Sequence, residues 1–211
     1  MAGCAAPIAN GAPRVSPRPP STTRAPVRTT GKPAQPRGLL PLTIAPQSHT
    51  ATYDRAADFG AFTEQQGCED TRALVLTRRS TAPVTYTTRS DCTVKTGRWT
   101  DPWSGVVTTV AHAFQIDHTV PLANAWASGA WSWSHAERVA YANDFTDPDH
   151  LVPIAAAENE AKGDDGPDGW RPPLRSAWCR YALAWDHIKA KWHLTATAAE
   201  WSAIAQMAAT C

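Results

Sequence analysis

Asp117 and His118 set a carboxylate beside an imidazole; farther along come His150, then Asn159 nine residues later, and Lys162 three beyond that. These are the groups that phosphodiester hydrolysis requires: a base to activate water, a cation to stabilise charge developing on the phosphate and leaving oxygen, and ligands that hold the cation. An imidazole titrates near neutrality and is the natural base, and Asp117 offers a ligand next to it. Residues three apart on a helix share a face, so Asn159 and Lys162 present an oxygen ligand and a phosphate-binding cation together. Asp164 and Asp165 follow the end of that helix and read as capping or turn residues rather than ligands.

The elements around these residues must bring them to one place. Residues 106–116 alternate as a strand, with Phe114, Ile116, His118 and Val120 on one parity, and the extended run stops at Pro121. Neighbours on a strand point to opposite faces, so Asp117 and His118 reach one metal only if the chain turns there, as Pro121 makes it do. Leu122 to Ala130 suits a short helix ending near Gly129, and Ser134-His135-Ala136-Glu137 is a capping box opening a helix from Ala136 to about Asn143. Asp147-Pro148-Asp149 breaks the chain before His150-Leu151-Val152. Pro153 sits where a first helical turn tolerates it, Ala155 to Ala161 favours helix, and Gly163 is a natural C-cap. Upstream, Tyr53 to Phe62 and Thr71 to Leu76 read as helices. Pro83 to Thr88 and Cys92 to Trp99 read as strands, with a turn at Asp101-Pro102-Trp103-Ser104-Gly105.

The runs Ile116-Asp117-His118-Thr119-Val120-Pro121-Leu122-Ala123-Asn124-Ala125-Trp126, Asn143-Asp144, Asn159-Glu160-Ala161-Lys162-Gly163-Asp164 and Trp170-Arg171-Pro172-Pro173 carry a resemblance. From Tyr53 to Cys211 the chain resembles the HNH, or His-Me finger, nucleases, in particular small secreted actinobacterial members related to nuclease domains of modification-dependent restriction systems. The resemblance implies an α+β fold with a ββα-metal core, additional helices, a C-terminal helical hairpin and a disordered tail before it. It implies His118 as general base, Asp117 and Asn159 as metal ligands, and His150 in the middle position that orients the base. The stretch from His118 to His150 exceeds that of minimal HNH motifs, and its extra length is assigned to the helices between them. Carboxylate and amide oxygens suit Mg²⁺ or Mn²⁺ better than zinc. The implied substrate is DNA, with RNA as a second candidate, cleaved with little sequence specificity because no helix-turn-helix or zinc finger accompanies the site. Nothing in the residues specifies an immunity partner.

Residues 1–50 hold ten of the eighteen prolines, six of the twenty basic residues, and neither an acid nor an aromatic. Such a stretch cannot bury enough apolar surface to offset its ordering entropy and reads as a disordered linker, leaving 51–211 as the nuclease domain. The remainder has 14 bases against 19 acids, which excludes a broad basic surface as the means of holding nucleic acid. No apolar run is long enough to span a membrane. Met1-Ala2-Gly3-Cys4, followed by a Pro/Thr/Arg-rich stretch, matches the end of a lipoprotein signal whose apolar segment would lie upstream of the start given. Cys4 would then be the acylated residue and the linker a tether; an incidental cysteine is the alternative.

The other four cysteines form no C-x-x-C pair. Trp178, Tyr181, Trp185, Ile188 and Trp192 recur at helical spacing, and Thr197-Ala198-Ala199-Glu200 is a capping box opening a second helix. The turn between them centres near Thr195. Cys179 lies sixteen residues before it and Cys211 sixteen after, so an antiparallel hairpin brings both to its open end. A Cys179–Cys211 disulfide is predicted and, by elimination, Cys68–Cys92. Two bridges place the chain outside the cytoplasm, secreted or at the cell surface.

Competing uses of the same residues are a zinc hydrolase of peptide or cell wall, with His118, Asp117 and His150 as ligands, and a non-catalytic surface-tethered binding module. The first lacks a His-Glu-x-x-His motif; the second would work through tryptophans. Trp178, Trp185, Trp192 and Trp201 sit at core spacing, whereas Trp131 and Trp133 are candidates for exposure. His112, His135, His187 and His193 match no part of the motif, and Arg72, Arg98 and Arg171 are the candidate phosphate contacts outside it.

Overall fold

Polar caps and apolar runs divide residues 38–87 and 92–211, those the computed structural model describes, into short strands and helices. In chain order these are α1 (Arg55–Asp58), β1 (Glu64–Gln66), β2 (Glu69–Asp70), α2 (Thr71–Arg79), β3 (Thr85–Tyr86), β4 (Val94–Thr100), β5 (Val107–Val110), β6 (Phe114–His118), α3 (Leu122–Ala127), α4 (His135–Ala142), β7 (Leu151–Ala155), α5 (Ala156–Lys162), α6 (Trp178–Lys191) and α7 (Ala198–Ala208). Among the described residues the fold is a mixed α and β arrangement with three small antiparallel sheets: β1-β2, β3-β4-β5 and β6-β7. Cys4 lies outside the described residues.

The pair β6-β7 is central. Its register runs without a shift from Phe114 opposite Ala155 to His118 opposite Leu151. The excursion between the strands forms α3 and α4, and α5 follows β7 directly. Capping explains where α4 starts: the Ser134 hydroxyl accepts from the Glu137 amide, while the Glu137 carboxylate accepts from the Ser134 amide. A buried carboxylate fixes the strand–helix junction. Asp101 accepts from the Trp103 amide and the Ser104 hydroxyl within the anticipated turn, and also from the Ala155 amide.

Three local expectations are corrected. The alternation over 106–116 is not one strand: a 3₁₀ turn at Ala111–Ala113 ends β5 on its β4 partner and starts β6 on β7. The Arg72 guanidinium fastens this corner by donating to the carbonyls of Ala111 and Phe114. Pro153 lies inside β7 opposite Ile116, not in a first helical turn. β7 has a strand on one side only, and a missing N–H is tolerated on such an edge. The helix read over Tyr53 to Phe62 contracts to α1, capped by Asp54.

The packed chain also begins earlier than residue 51. Leu39 is buried, Ile44 bridges to Ala196, and the amide of Ala45 and carbonyl of Thr43 pair with Ala196. Farther on, Trp126 donates its indole N–H to the His49 carbonyl. The segment 38–50 thus lies along α3 and the C-terminal hairpin.

That hairpin is α6 and α7, with Thr197 and Glu200 forming the expected capping box. The Cys179–Cys211 disulfide closes its open end, and Cys68 is bridged to Cys92, as expected. Tyr181, Trp185, Ile188, Ile204 and Met207 pack with Trp103, Tyr141 and Trp126 in the larger core cluster, each large apolar side chain contributing roughly 1.5–3 kcal/mol by burial. Trp178, Trp192 and Trp201 are partly buried against it, and so is Trp133, whereas Trp131 is 40% exposed and stacks on His49.

Candidate functional site

The cleft of interest is small, about 160 Å³, and lies where the end of β6 meets the start of α3 and the end of α5. Asp117, His118, Asn159, Arg55, Gly163 and Asp164 line it. Residues 115 and 117 share one face of β6, the face that meets Asn159 and Lys162 of α5. His118 leaves by the other face toward α4 and yet reaches the same cleft, because β6 ends there.

Asp117 is 5% exposed. Its Oδ1 accepts from Lys162 Nζ at 2.7 Å, and its Oδ2 is buried with no hydrogen-bond partner. Burial pushes the Asp117 carboxyl above the usual carboxylate range, and the Lys162 ammonium opposes that shift. Asn159 is half-buried; its Nδ2 donates to Gln115 Oε1, which leaves the amide oxygen as its unused acceptor.

The two histidines hang from consecutive carbonyls at the end of α4. His118 Nε2 donates to Ala142 O at 2.9 Å, and His150 Nε2 donates to Tyr141 O at 2.8 Å. Helix ends leave such carbonyls in need of donors. A carbonyl only accepts, so each ring carries its proton on Nε2 and keeps Nδ1 as the basic nitrogen. Burial holds the His118 pKa well below 6.5, helped by nearby His150, although the Ala142 carbonyl pulls the other way. Burial likewise lowers His150 to about 4 against the attraction of Asp144. Both imidazoles are therefore neutral at pH 7. The rings meet edge to face at 5.9 Å, and Phe62 and Tyr141 stack on His118 at 5.9 and 6.4 Å.

Two sequence expectations change here. Lys162 was expected to reach phosphate; its ammonium is buried instead, shared between Asp117 Oδ1 and the His118 carbonyl at 2.9 Å. It holds the carboxylate and the strand end in place. His150 was expected to orient the base directly. It is fully buried, does not line the cleft, and meets His118 through ring packing and their shared anchorage on α4.

Arg55 is a cleft residue that spacing alone missed. Its position is set by Asp54, which caps α1, and by Phe59, which anchors α1 in the core. The signal was the Asp54 cap beside an exposed arginine, recognisable only once α1 is known to cover the β6 end. Gln115 was missed because a strand glutamine two residues before Asp117 resembles any half-buried polar residue. None of Arg72, Arg98 and Arg171 lines the cleft: Arg72 is spent on backbone carbonyls, Arg98 is exposed on β4, and Arg171 lies over Trp178. Asn143 ties α4 to α2 by accepting from Thr71 and Thr63, and Asp144 pairs with Lys191. Asp164 lines the cleft, whereas Asp165 turns after α5 by donating its amide to Lys162 O.

Among the described residues no three His, Cys, Asp or Glu side chains converge as a metal-binding group, so the three-ligand zinc set of Asp117, His118 and His150 is not assembled. The cleft is lined by Asp117, whose Oδ2 is buried in its wall without a partner, by the exposed Asp164 carboxylate, and by a free amide oxygen, a neutral imidazole and a guanidinium. No helix among the described residues is long and apolar enough to cross a membrane.

No protein-family model and no solved structure matches the chain. It is similar to an uncharacterized secreted protein of Arthroderma benhamiae, 39% identical over 173 residues, which is 82% of this chain and 82% of that protein. At that identity and coverage, the chain belongs to the same family as this secreted fungal protein.

Proposed function

We propose that the chain is a metal-dependent nuclease of the HNH type, acting outside the cell on DNA, with RNA as a second substrate. The observation that carries this reading is the pairing, in one cleft, of a neutral imidazole of fixed tautomer with a buried carboxylate oxygen that has no partner. The strand–strand–helix order of β6, β7 and α5 supports it. The secreted relative and the two disulfides support the extracellular setting.

The unfilled Asp117 Oδ2 and the spare Asn159 oxygen suit a hard divalent ion such as Mg²⁺ or Mn²⁺, which takes few protein ligands and keeps waters and substrate oxygens for the rest. Such an ion, when bound, supplies charge stabilisation to the phosphate and the leaving oxygen. The chain's own residues do the remainder. His118, held through Nε2 on Ala142, offers Nδ1 to take a proton from the attacking water. Lys162 positions Asp117, Gln115 positions Asn159, and the Arg55 guanidinium meets a phosphate with paired N–H donors.

The test is cleavage of plasmid DNA by the full chain, made under oxidising conditions, in Mg²⁺, Mn²⁺, Zn²⁺ or EDTA. Cleavage should need Mg²⁺ or Mn²⁺ and fall by roughly 10²–10⁴-fold in His118→Ala. Undiminished cleavage by that variant would sink the mechanism. Arg55→Ala should raise KM and make the salt dependence shallower, with a smaller effect on kcat.

A further inference from the structure

The cleft does not end at Asp164. A second hollow, about 200 Å³, is lined by the same Asp164 and continues past Tyr53 and Thr50 along α3, by Ala123 and Ala127. α3 has six residues and so spans about 9 Å, from Leu122 at the cleft to Ala127, whose carbonyl accepts from the Ser48 amide. Ser48 and Thr50 flank His49, so the hollow leads from the cleft to that residue.

His49 is held in an unusual conformation. Its φ is 59°, in the left-handed region that residues with a Cβ seldom occupy. Its carbonyl accepts from the Thr52 amide at 3.0 Å, the Thr52 hydroxyl at 2.8 Å and the Trp126 indole at 2.9 Å. Its Nδ1 lies 3.1 Å from the Ser48 hydroxyl, and its ring stacks on Trp131 with centroids 3.8 Å apart and planes 21° from parallel. Both rings are exposed, and among the described residues Trp131 is the one aromatic among the large exposed apolar side chains. Backbone strain persists only where the surroundings over-determine it, and such positions cluster at ligand sites. What the strain places here is a pair of flat rings at the surface.

Among the described residues no lysine or arginine lines the hollow. Phosphate contacts therefore supply no affinity along it, whereas a base stacks on an aromatic ring without needing charge. A base inside a duplex has both faces covered by its neighbours; an unpaired base has a face to offer. We propose that the His49–Trp131 stack is a platform for an unpaired base of the substrate strand, about three nucleotides from the bond held in the cleft at the roughly 3.4 Å spacing of stacked bases. The proposal rests on the nuclease reading and narrows it: the preferred substrate is single-stranded nucleic acid or a frayed duplex end.

Fluorescence anisotropy of a labelled oligothymidylate with the full chain in EDTA tests the platform apart from cleavage, against an abasic oligomer of equal length and the corresponding duplex. Saturable binding of the single strand is expected, with weaker binding of the other two. Trp131→Ala should weaken binding of the oligothymidylate about tenfold and leave the abasic oligomer unchanged, and Trp131→Phe should restore most of the loss. His49→Asn removes a ring and tolerates the left-handed backbone; it should weaken binding in the same way and serves if Trp131→Ala fails to fold. No saturable binding of the single strand, duplex bound as tightly, or equal binding by wild type and every folded variant would overturn the proposal. So would binding of cellohexaose in place of the oligonucleotide, lost in Trp131→Ala, which would make the stack a glycan platform. Base-dependent binding by a chain that cleaves nothing in any metal would keep the platform and sink the nuclease reading instead.

Discussion

Among the described residues two ammonium groups are buried, each against a carboxylate, and they are finished differently. In the C-terminal hairpin, Lys189 donates to both oxygens of Glu200, to the Ser128 hydroxyl and to the Thr195 carbonyl. Glu200 in turn accepts from the Asn124 amide and the Thr197 backbone. Every strong valence there is used. In the cleft, Lys162 reaches one Asp117 oxygen and the His118 carbonyl, and the second Asp117 oxygen has nothing. Buried ions are tolerated when their hydrogen bonds are complete, so the saturated pair reads as architecture and the unsaturated one as a site made for a ligand.

Removing each lysine sharpens the contrast and carries the largest expected effect. Lys189→Met and Lys162→Met each strand a buried carboxylate, and each should cost about 3–5 kcal/mol in chemical denaturation in EDTA. Added Mg²⁺ should restore part of the loss in Lys162→Met and none in Lys189→Met. Equal responses to Mg²⁺ would erase the distinction between the two pairs, and with it the claim that Asp117 is a ligand.

His150 joins the two regions, since its ring packs on His118 and Tyr141 and also on Trp192 at the end of α6. Its folded pKa of about 4 lies below the unfolded value of about 6.5. The unfolded chain therefore takes up a proton first as the pH falls. Stability from this group is complete above about pH 6.5 and is lost as pH drops toward 4, by about 3 kcal/mol in all. Denaturation midpoints measured across that window should decline, and His150→Gln should decline less. An unchanged slope in the variant would mean that His150 is not the buried neutral group described.

How much of this was legible in the sequence follows from the range of the forces involved. Capping boxes are local, and those at Ser134 and Thr197 were readable and are present. The Cys179–Cys211 bridge was readable because equal spacing about a turn is a geometric fact. The break at Ala111–Ala113 was not, because it depends on an arginine from α2 bonding the corner. Nor was the inward turn of Lys162: a helix face tells which residues travel together, not whether a carboxylate waits beneath them. The segment 38–50 looked free by composition, but its backbone pairs with Ala196 and Leu39 finds the core. For the cleft itself, Asp117, His118 and Asn159 were visible in the sequence, whereas Gln115 and Arg55 required the fold.

The smallest effects test the comparison from its edges. Thr197→Ala removes a cap on the hairpin and should cost about 1 kcal/mol, with cleavage per folded molecule unchanged, because no residue of the cleft lies on α7. Gln115→Ala should do the reverse. Gln115 contributes little burial but fixes the Asn159 amide so that its oxygen is the atom left over. Losing such a support commonly weakens metal binding about 10–100-fold, so the Mg²⁺ concentration for half-maximal cleavage should rise while the unfolding midpoint in EDTA holds. A variant that lost stability without any change in Mg²⁺ requirement would put Gln115 with the architecture and leave Asn159 without its support as a ligand.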